Sequence, residues 1–173
     1  VVVPTGGQAG RQPAGPVQDL APGHWLEMPN SKLNALDPCP GNNCSYSPNL
    51  GQGCVADAWT GGAFDSVRNR LIAWGGGHNC YGGNEVYVFD VLGTQRWARV
   101  SEPSTSGSCN QGIAEYPDGT PCAAHTYDYV DFHPGSDSFV LLGSASPYGL
   151  GGGGAPTVHL FSFDTNSWRR GAD

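Results

Sequence analysis

The sequence predicts an all-β protein, on the strength of its composition and its short apolar runs. Its 173 residues include 27 Gly and 14 Pro but only 13% charged residues, as is typical of many short strands joined by turns. Residues 71–74 (LIAW) are wholly apolar and end at three glycines, and residues 86–91 are dense in β-branched and aromatic side chains. We therefore interpret residues 71–90 as a hairpin whose loop carries the polar side chains.

The same pattern returns 68 positions later, which extends the prediction from single strands to a repeated unit. Four matched pairs define the repeat: Phe64 and Phe132, Asn69 and Asp137, Leu71 and Phe139, and Gly75 and Gly143. A later group matches as well: Phe89, Asp90 and Trp97 with Phe163, Asp164 and Trp168. A repeat of this length built from short strands predicts a radial or stacked array.

These repeated features resemble the kelch-type β-propeller blade, which combines an apolar strand, a double glycine, an aromatic-x-aromatic-Asp segment and a Trp. The resemblance covers residues 55–170. The string GGGHNCYGGNEVYVFD is also similar to bacterial extracellular kelch-like propellers, a group that resembles polysaccharide lyases of the ulvan lyase type. The predicted fold is thus all-β: a partial kelch-like β-propeller with two four-stranded blades plus one outer strand of a further blade.

The elements are predicted in chain order. Residues 1–23 form an extended N-terminal arm, because they are rich in Gly, Pro, Gln and Ala and show no apolar period. The propeller portion is residues 24–173, in which 24–29 (HWLEMP) resemble the segment around Trp97 and are predicted to be the extra outer strand. The first blade spans 55–100, with strands near 55–64, 71–74, 86–91 and 96–100. The second spans 126–170, with strands near 126–132, 139–144, 158–164 and 167–170.

Two blades are too few to close a propeller, which needs about four to eight. The partners expected for this chain are therefore further propeller blades, supplied either by missing chain or by other subunits. An unpaired strand edge at residues 24–29 would also invite pairing with such a partner.

The charge balance excludes two classes of partner. Eight basic and fifteen acidic residues give a net charge of −7, so we expect no binding to nucleic acid or to an anionic membrane surface. No apolar run has the length of a membrane helix. Six cysteines in a loop-rich chain favour an oxidising compartment, and the protein is expected to be extracellular or periplasmic.

The cysteines are predicted to form three disulfides: Cys39 with Cys44, Cys54 with Cys80, and Cys109 with Cys122. The first pair is close in sequence and the third closes one loop between the blades. The middle pair would meet because both residues lie at the same end of the first blade. The alternative for Cys54 and Cys80 is a zinc site shared with His78, since thiolate and imidazole are the ligands that zinc prefers.

The candidate site residues lie on loops that should open at one rim, because strand direction alternates within a blade. His78, Tyr81 and Asn84 belong to the loop between the second and third strands, and His125 belongs to the connection between blades. Tyr127 falls at the start of the first strand of the second blade. We expect His78, Tyr81 and His125 to be the catalytic candidates, with Asn84 and Tyr127 contacting substrate. The alternative for each histidine is a hydrogen bond to loop backbone, and for Tyr81 an aromatic lid over the glycine-rich loop.

Other polar and aromatic residues are interpreted structurally. Asp90 and Asp164 fall in equivalent turns, which favours turn capping. Trp97 and Trp168 recur in the repeat and are expected to pack, and His133 and His159 have no matching partners and are assigned to the surface or to a sheet.

Two functions remain open. The first is a secreted carbohydrate-active or carbohydrate-binding propeller, most concretely a polysaccharide lyase in which His and Tyr exchange protons beside a uronate carboxylate that Arg or a metal neutralises. The second is a noncatalytic extracellular module for structure or protein interaction. The sequence predicts no cofactor, since the Tyr and Cys pair of a galactose-oxidase-like copper site is not identifiable.

Overall fold

The computed structural model describes residues 16–29, 31–41, 43–46, 51–57, 60–76, 81–106, 109, 114–144 and 155–171. Within these ranges the one α-helix, α1, is the short Cys54–Asp57, and no helix is long and apolar enough to cross a membrane. Every other regular element there is a strand or a single 3-10 turn. The predicted all-β class is therefore confirmed.

The strands form two antiparallel sheets of four, each in sequential order. Sheet 1 consists of β1 (Gly62–Asp65), β2 (Arg70–Ala73), β3 (Tyr87–Asp90) and β4 (Trp97–Arg99). Sheet 2 consists of β5 (Val130–His133), β6 (Ser138–Ser144), β7 (Ala155–Ser162) and β8 (Ser167–Arg170). The two predicted four-stranded units are thus present, and they do not close into a ring.

The first strand of each unit begins later than the sequence suggested. Val55 lies in α1 and is buried in a cluster with Tyr81 and Tyr87, so that β1 starts only at Gly62. The segment that precedes β1 and the segment that precedes β5 lie too close to each other to pair as strands. The amide of Gly61 donates to the Thr126 hydroxyl at 2.6 Å, and a Cβ at Gly61 would lie 1.7 Å from the carbonyl oxygen of the next residue, Tyr127.

Residues 24–29, predicted to be an outer strand, form no strand within this chain. The segment is irregular, and the Trp25 side chain is 98% exposed. A lone extended segment has no neighbouring backbone to satisfy its N–H and C=O groups, which accounts for its irregular path. Its pairing with a segment outside the two sheets stays a prediction.

The strand register confirms the sequence repeat. One row of directly opposed residues crosses each sheet: Phe64, Leu71, Phe89 and Trp97 in sheet 1, and Phe132, Phe139, Phe161 and Trp168 in sheet 2. The matched turn residues Asn69 and Asp137 both adopt the left-handed conformation, with φ of 53° and 48°. Asn and Asp tolerate that conformation better than other residues with a side chain, which is why the turns could be matched from sequence.

The register also corrects one part of the predicted repeat. Phe89 is equivalent to Phe161, two residues before the predicted Phe163. Asp90 ends β3 and caps its turn, where its carboxylate accepts the amides of residues 93 and 94. Asp164 lies two residues beyond the end of β7, so the two aspartates are not at equivalent positions. The β7–β8 turn is shorter than the β3–β4 turn, and this difference in length explains why the sequence comparison paired Phe89 with Phe163.

The core lies between the two sheets, where one face of sheet 1 packs on one face of sheet 2. Strands β1 and β5 are adjacent across this interface. The buried apolar side chains that meet here are Ala63, Ile72, Trp74, Val86 and Val88 from sheet 1, and Val130, Phe132, Phe139, Leu141 and Phe161 from sheet 2. Trp168 packs at the edge of this core, with its ring centroid 5.5 Å from that of Trp74. Sheet 2 therefore has one face in this core and one face turned outward. The second face of sheet 1 is partly covered by the loop before β1, whose Leu33, Cys39 and Tyr46 form a buried cluster with Tyr81 and Tyr87.

Candidate functional site

Three loops meet at one edge of sheet 1, and we call this edge the rim. They are the described parts of the loop before β1, of the β2–β3 loop and of the connection between the sheets. The Tyr116 hydroxyl donates to the carbonyl of Gly82 at 2.6 Å, and the Gly82 amide donates to the carbonyl of Tyr46 at 2.7 Å. Two neighbouring loops thus hold the β2–β3 loop in place through its backbone.

Two of the three predicted disulfides are formed in the described residues. Cys39 is bonded to Cys44, and Cys109 is bonded to Cys122. Cys54 is buried beneath the rim. Its proposed partner Cys80 lies outside the described residues, as does His78, so that disulfide, the zinc alternative and the role of His78 stay predictions. Within the described part of the chain, no cluster of three His, Cys, Asp or Glu side chains could hold a metal ion.

Tyr81 lies fully inside the protein, in a hydrogen-bonded cluster centred on Glu85. The hydroxyls of Tyr81 and Tyr87 both donate to Oε1 of Glu85, at 2.6 and 2.5 Å, and Oε2 of Glu85 has no hydrogen-bond partner. Burial raises the pKa of the Tyr81 hydroxyl far above its usual value, and the adjacent Glu85 raises it further. The Tyr81 ring also packs edge-on against Tyr46.

Glu85 makes this cluster sensitive to pH. Burial raises the pKa of its carboxyl, although the two tyrosine hydroxyls act in the opposite direction. A carboxyl with a raised pKa in the folded state stabilises the fold fully below its ordinary value of 4.5, and this contribution is lost as the pH rises through the folded value. Burial therefore favours the protonated, neutral form of the Glu85 carboxyl.

We therefore expect Glu85→Gln to remove a pH dependence of stability. Chemical denaturation at several pH values between about 4 and 8 should show the wild type losing free energy of unfolding, relative to the variant, as the pH rises. Glu102→Gln is the control, since Glu102 lies nearby with an exposed carboxylate that accepts from Arg99. Parallel profiles for wild type and Glu85→Gln would contradict the expectation.

Asn84 is a structural link between loops in this structure. Its side-chain amide donates to the Thr120 hydroxyl at 2.8 Å and to the carbonyl of Pro121 at 2.9 Å, and its Oδ1 accepts the Ser104 amide at 2.7 Å. The residue is 2% exposed. Its hydrogen-bonding capacity is thus used inside the protein, between the β2–β3 loop and the connection between the sheets.

His125 and Tyr127 are brought together at the surface of the rim. Their rings meet edge to face with centroids 5.8 Å apart, and the Tyr127 hydroxyl lies 3.5 Å from Nδ1 of His125. Tyr127 is 41% exposed and adopts a left-handed backbone with φ of 40°, which is unfavourable for a residue with a Cβ. The carbonyl of Tyr127 abuts Gly61, and this close approach helps hold the strained backbone.

Sequence reasoning missed a second buried polar pair, His159 with Glu115. Nε2 of His159 lies 2.8 Å from Oε1 of Glu115, and the imidazole is 2% exposed beside Trp168. His159 occupies the register position in sheet 2 that Tyr87 occupies in sheet 1, and each side chain contacts a carboxylate. The pair joins residues 44 positions apart, and no local pattern in the sequence indicates it.

Comparison with models of known protein families gave no match, and no curated protein is significantly similar to this sequence. The functional assignment therefore depends on the repeat, the two sheets and the rim.

Proposed function

We propose that this chain is an extracellular glycan-binding module of kelch-like propeller architecture, and that His125 and Tyr127 form its sugar contact. The observation that carries the proposal is Tyr127, an exposed aromatic ring held on a strained backbone beside an imidazole. Strained conformations cluster at functional sites, because the surrounding structure must stabilise them for some purpose. Two four-stranded sheets, one for each copy of the sequence repeat, are consistent with the kelch-like architecture in this proposal.

The chemistry of the pair suits a sugar. An aromatic ring offers an apolar face for the C–H groups of a pyranose, and its hydroxyl and a neighbouring imidazole offer donors and acceptors for sugar hydroxyls. Binding sites combine apolar surface with a few polar groups in this way. The two disulfides fit an oxidising, extracellular setting.

We favour binding over bond cleavage because two groups that a lyase could use are engaged within the chain. A lyase needs a proton donor and a cation beside the substrate carboxylate. The Tyr81 hydroxyl is occupied by Glu85 inside the protein. Arg99, at the rim end of β4, donates to the carbonyl of Leu36 and to the carboxylate of Glu102.

The test is Tyr127→Gly, which removes the ring and relieves the left-handed backbone. Isothermal titration against neutral and uronate-containing polysaccharides should show at least about a tenfold loss of affinity, or ~1.4 kcal/mol. The melting temperature should stay within a few degrees, because the relief of roughly 1 kcal/mol of backbone strain offsets the added chain entropy of glycine.

Tyr129→Ala is the matched control, since Tyr129 is an equally exposed tyrosine two residues along the chain. It should retain wild-type affinity, whereas His125→Ala should weaken binding. Wild-type affinity in Tyr127→Gly, or no binding of any polysaccharide by the wild type, would overturn the proposal.

A further inference from the structure

We propose that the outward face of each sheet is a docking surface for a second copy of this chain, packed head to tail. Face 1 is the outward face of sheet 1, carrying Phe64, Leu71, Phe89 and Trp97. Face 2 is the outward face of sheet 2, carrying Val140, Leu142, Val158 and Leu160. The packing between sheets 1 and 2 inside the chain supplies the template for this contact.

Face 1 is the repeat equivalent of a surface that is buried in sheet 2. Phe132 and Phe139, in the matching row of sheet 2, are 6% and 0% exposed where they pack on sheet 1. Their equivalents in face 1, Phe64 and Leu71, are 47% and 44% exposed. The inner half of this apolar row is therefore covered in sheet 2 and open in sheet 1, and an open apolar patch of this kind marks an interaction surface. The outer half of the row in sheet 1 is covered within the chain, since Phe89 is 5% exposed and Trp97 packs against the loop before β1.

Face 2 is the equivalent of the surface that covers that row. Leu142 is opposed to Val158 in sheet 2, at the positions that Trp74 and Val86 hold in sheet 1. Trp74 and Val86 are completely buried against sheet 2, whereas Leu142 is 55% exposed. Face 2 of one molecule can thus pack on the exposed inner half of face 1 of the next, where Phe64 and Leu71 lie, as the inner strands of sheets 1 and 2 pack within the chain.

The outer part of face 1 is already covered by the N-terminal segment. Leu26 and Met28 line a groove of about 330 Å³ together with Leu71, Phe89 and Trp97. Phe64 and Leu71, nearer the inner edge of the sheet, stay exposed.

The proposed contact joins two different surfaces, so it is heterologous and propagates until a ring closes. The contact needs no glycan and does not depend on the rim.

Sedimentation velocity across a concentration series tests the assembly. The wild type should form oligomers, with a midpoint below about 100 µM. Leu71→Glu and Leu142→Glu should each be monomeric, because each places a charge in one face. Mixing the two variants should give a dimer and nothing larger, since each variant retains the one intact face that the other needs.

Val67→Glu is the control, because Val67 is an exposed apolar residue in the β1–β2 turn, outside both faces, and this variant should assemble like the wild type. Circular dichroism would confirm that every variant is folded. A wild type that stays monomeric throughout the series, a mixture that does not dimerise, or a loss of assembly in Val67→Glu would overturn the proposal.

Discussion

Trp74→Ala should lower the free energy of unfolding by about 3–5 kcal/mol, because it opens a large cavity in the core. Trp74 is 0% exposed, and its ring packs against Trp168 of the other sheet. Its indole nitrogen donates to the carbonyl of Asn84 at 2.8 Å, so the substitution also removes the partner of a buried rim carbonyl. One residue therefore supports both the packing of the sheets and the rim.

Urea denaturation followed by circular dichroism measures this effect. Trp25→Ala is the matched control, because Trp25 is the same residue type at 98% exposure and should change stability by less than about 0.5 kcal/mol. Equal stabilities for the Trp74 variant and the wild type would contradict the packing of sheet 1 on sheet 2.

Asp65→Ala should have an effect of similar size, about 3–5 kcal/mol, because it leaves the largely buried Arg70 without its carboxylate and removes the acceptor of two turn amides. Asp65 is 0% exposed and its Oδ2 accepts from Arg70 at 2.7 Å and from Arg68 at 3.0 Å. Its Oδ1 accepts the amides of Val67 and Arg68, which closes the β1–β2 turn. Arg68 also forms a two-pronged ion pair with Asp137, so this turn links the two sheets.

The effect of Asp65→Ala should depend on pH. Burial would by itself raise the pKa of Asp65, but the hydrogen bonds from Arg70 and Arg68 outweigh burial and hold that pKa below its usual 3.8. The stabilisation is thus present above pH 3.8 and is lost as the pH falls through the lowered folded value. Denaturation at pH 7 and near pH 2 should show the two proteins converging in acid.

Asp164→Ala is the control for this series, since Asp164 is an exposed aspartate in the β7–β8 turn. It should match the wild type at both pH values. A pH-independent difference between Asp65→Ala and the wild type would contradict the ionic account of the turn.

The repeat could be predicted because its signals are local. Asn69 and Asp137 lie in turns with a left-handed backbone, which Asn and Asp tolerate better than most residues. Gly75 and Gly143 have φ of 99° and 96°, values that favour glycine. The apolar row beginning at Phe64 is fixed by strand alternation. Each of these constraints acts within a few residues, so it favours the same residue types at equivalent positions in both copies of the repeat.

The polar interior could not be predicted because its contacts are made in three dimensions. The sequence pattern predicts Glu85 to be an exposed residue at the start of a strand, yet two tyrosine rings and the neighbouring loops enclose it. His159 contacts Glu115 only because the connection between the sheets folds back over β7. Residues 24–29 carry a strand-like sequence but have no partner within the two sheets, and local propensity alone does not make a strand.

Native-state hydrogen exchange with mass spectrometry tests most directly the central claim, that two equivalent four-stranded sheets share one core. Because Trp74 and Trp168 join the sheets, the amides of β2, β3, β6 and β7 should exchange through a single opening with one free energy. Residues 24–29, which are irregular and exposed, should exchange at once. Fast exchange of either sheet while the other stays protected would contradict a shared core.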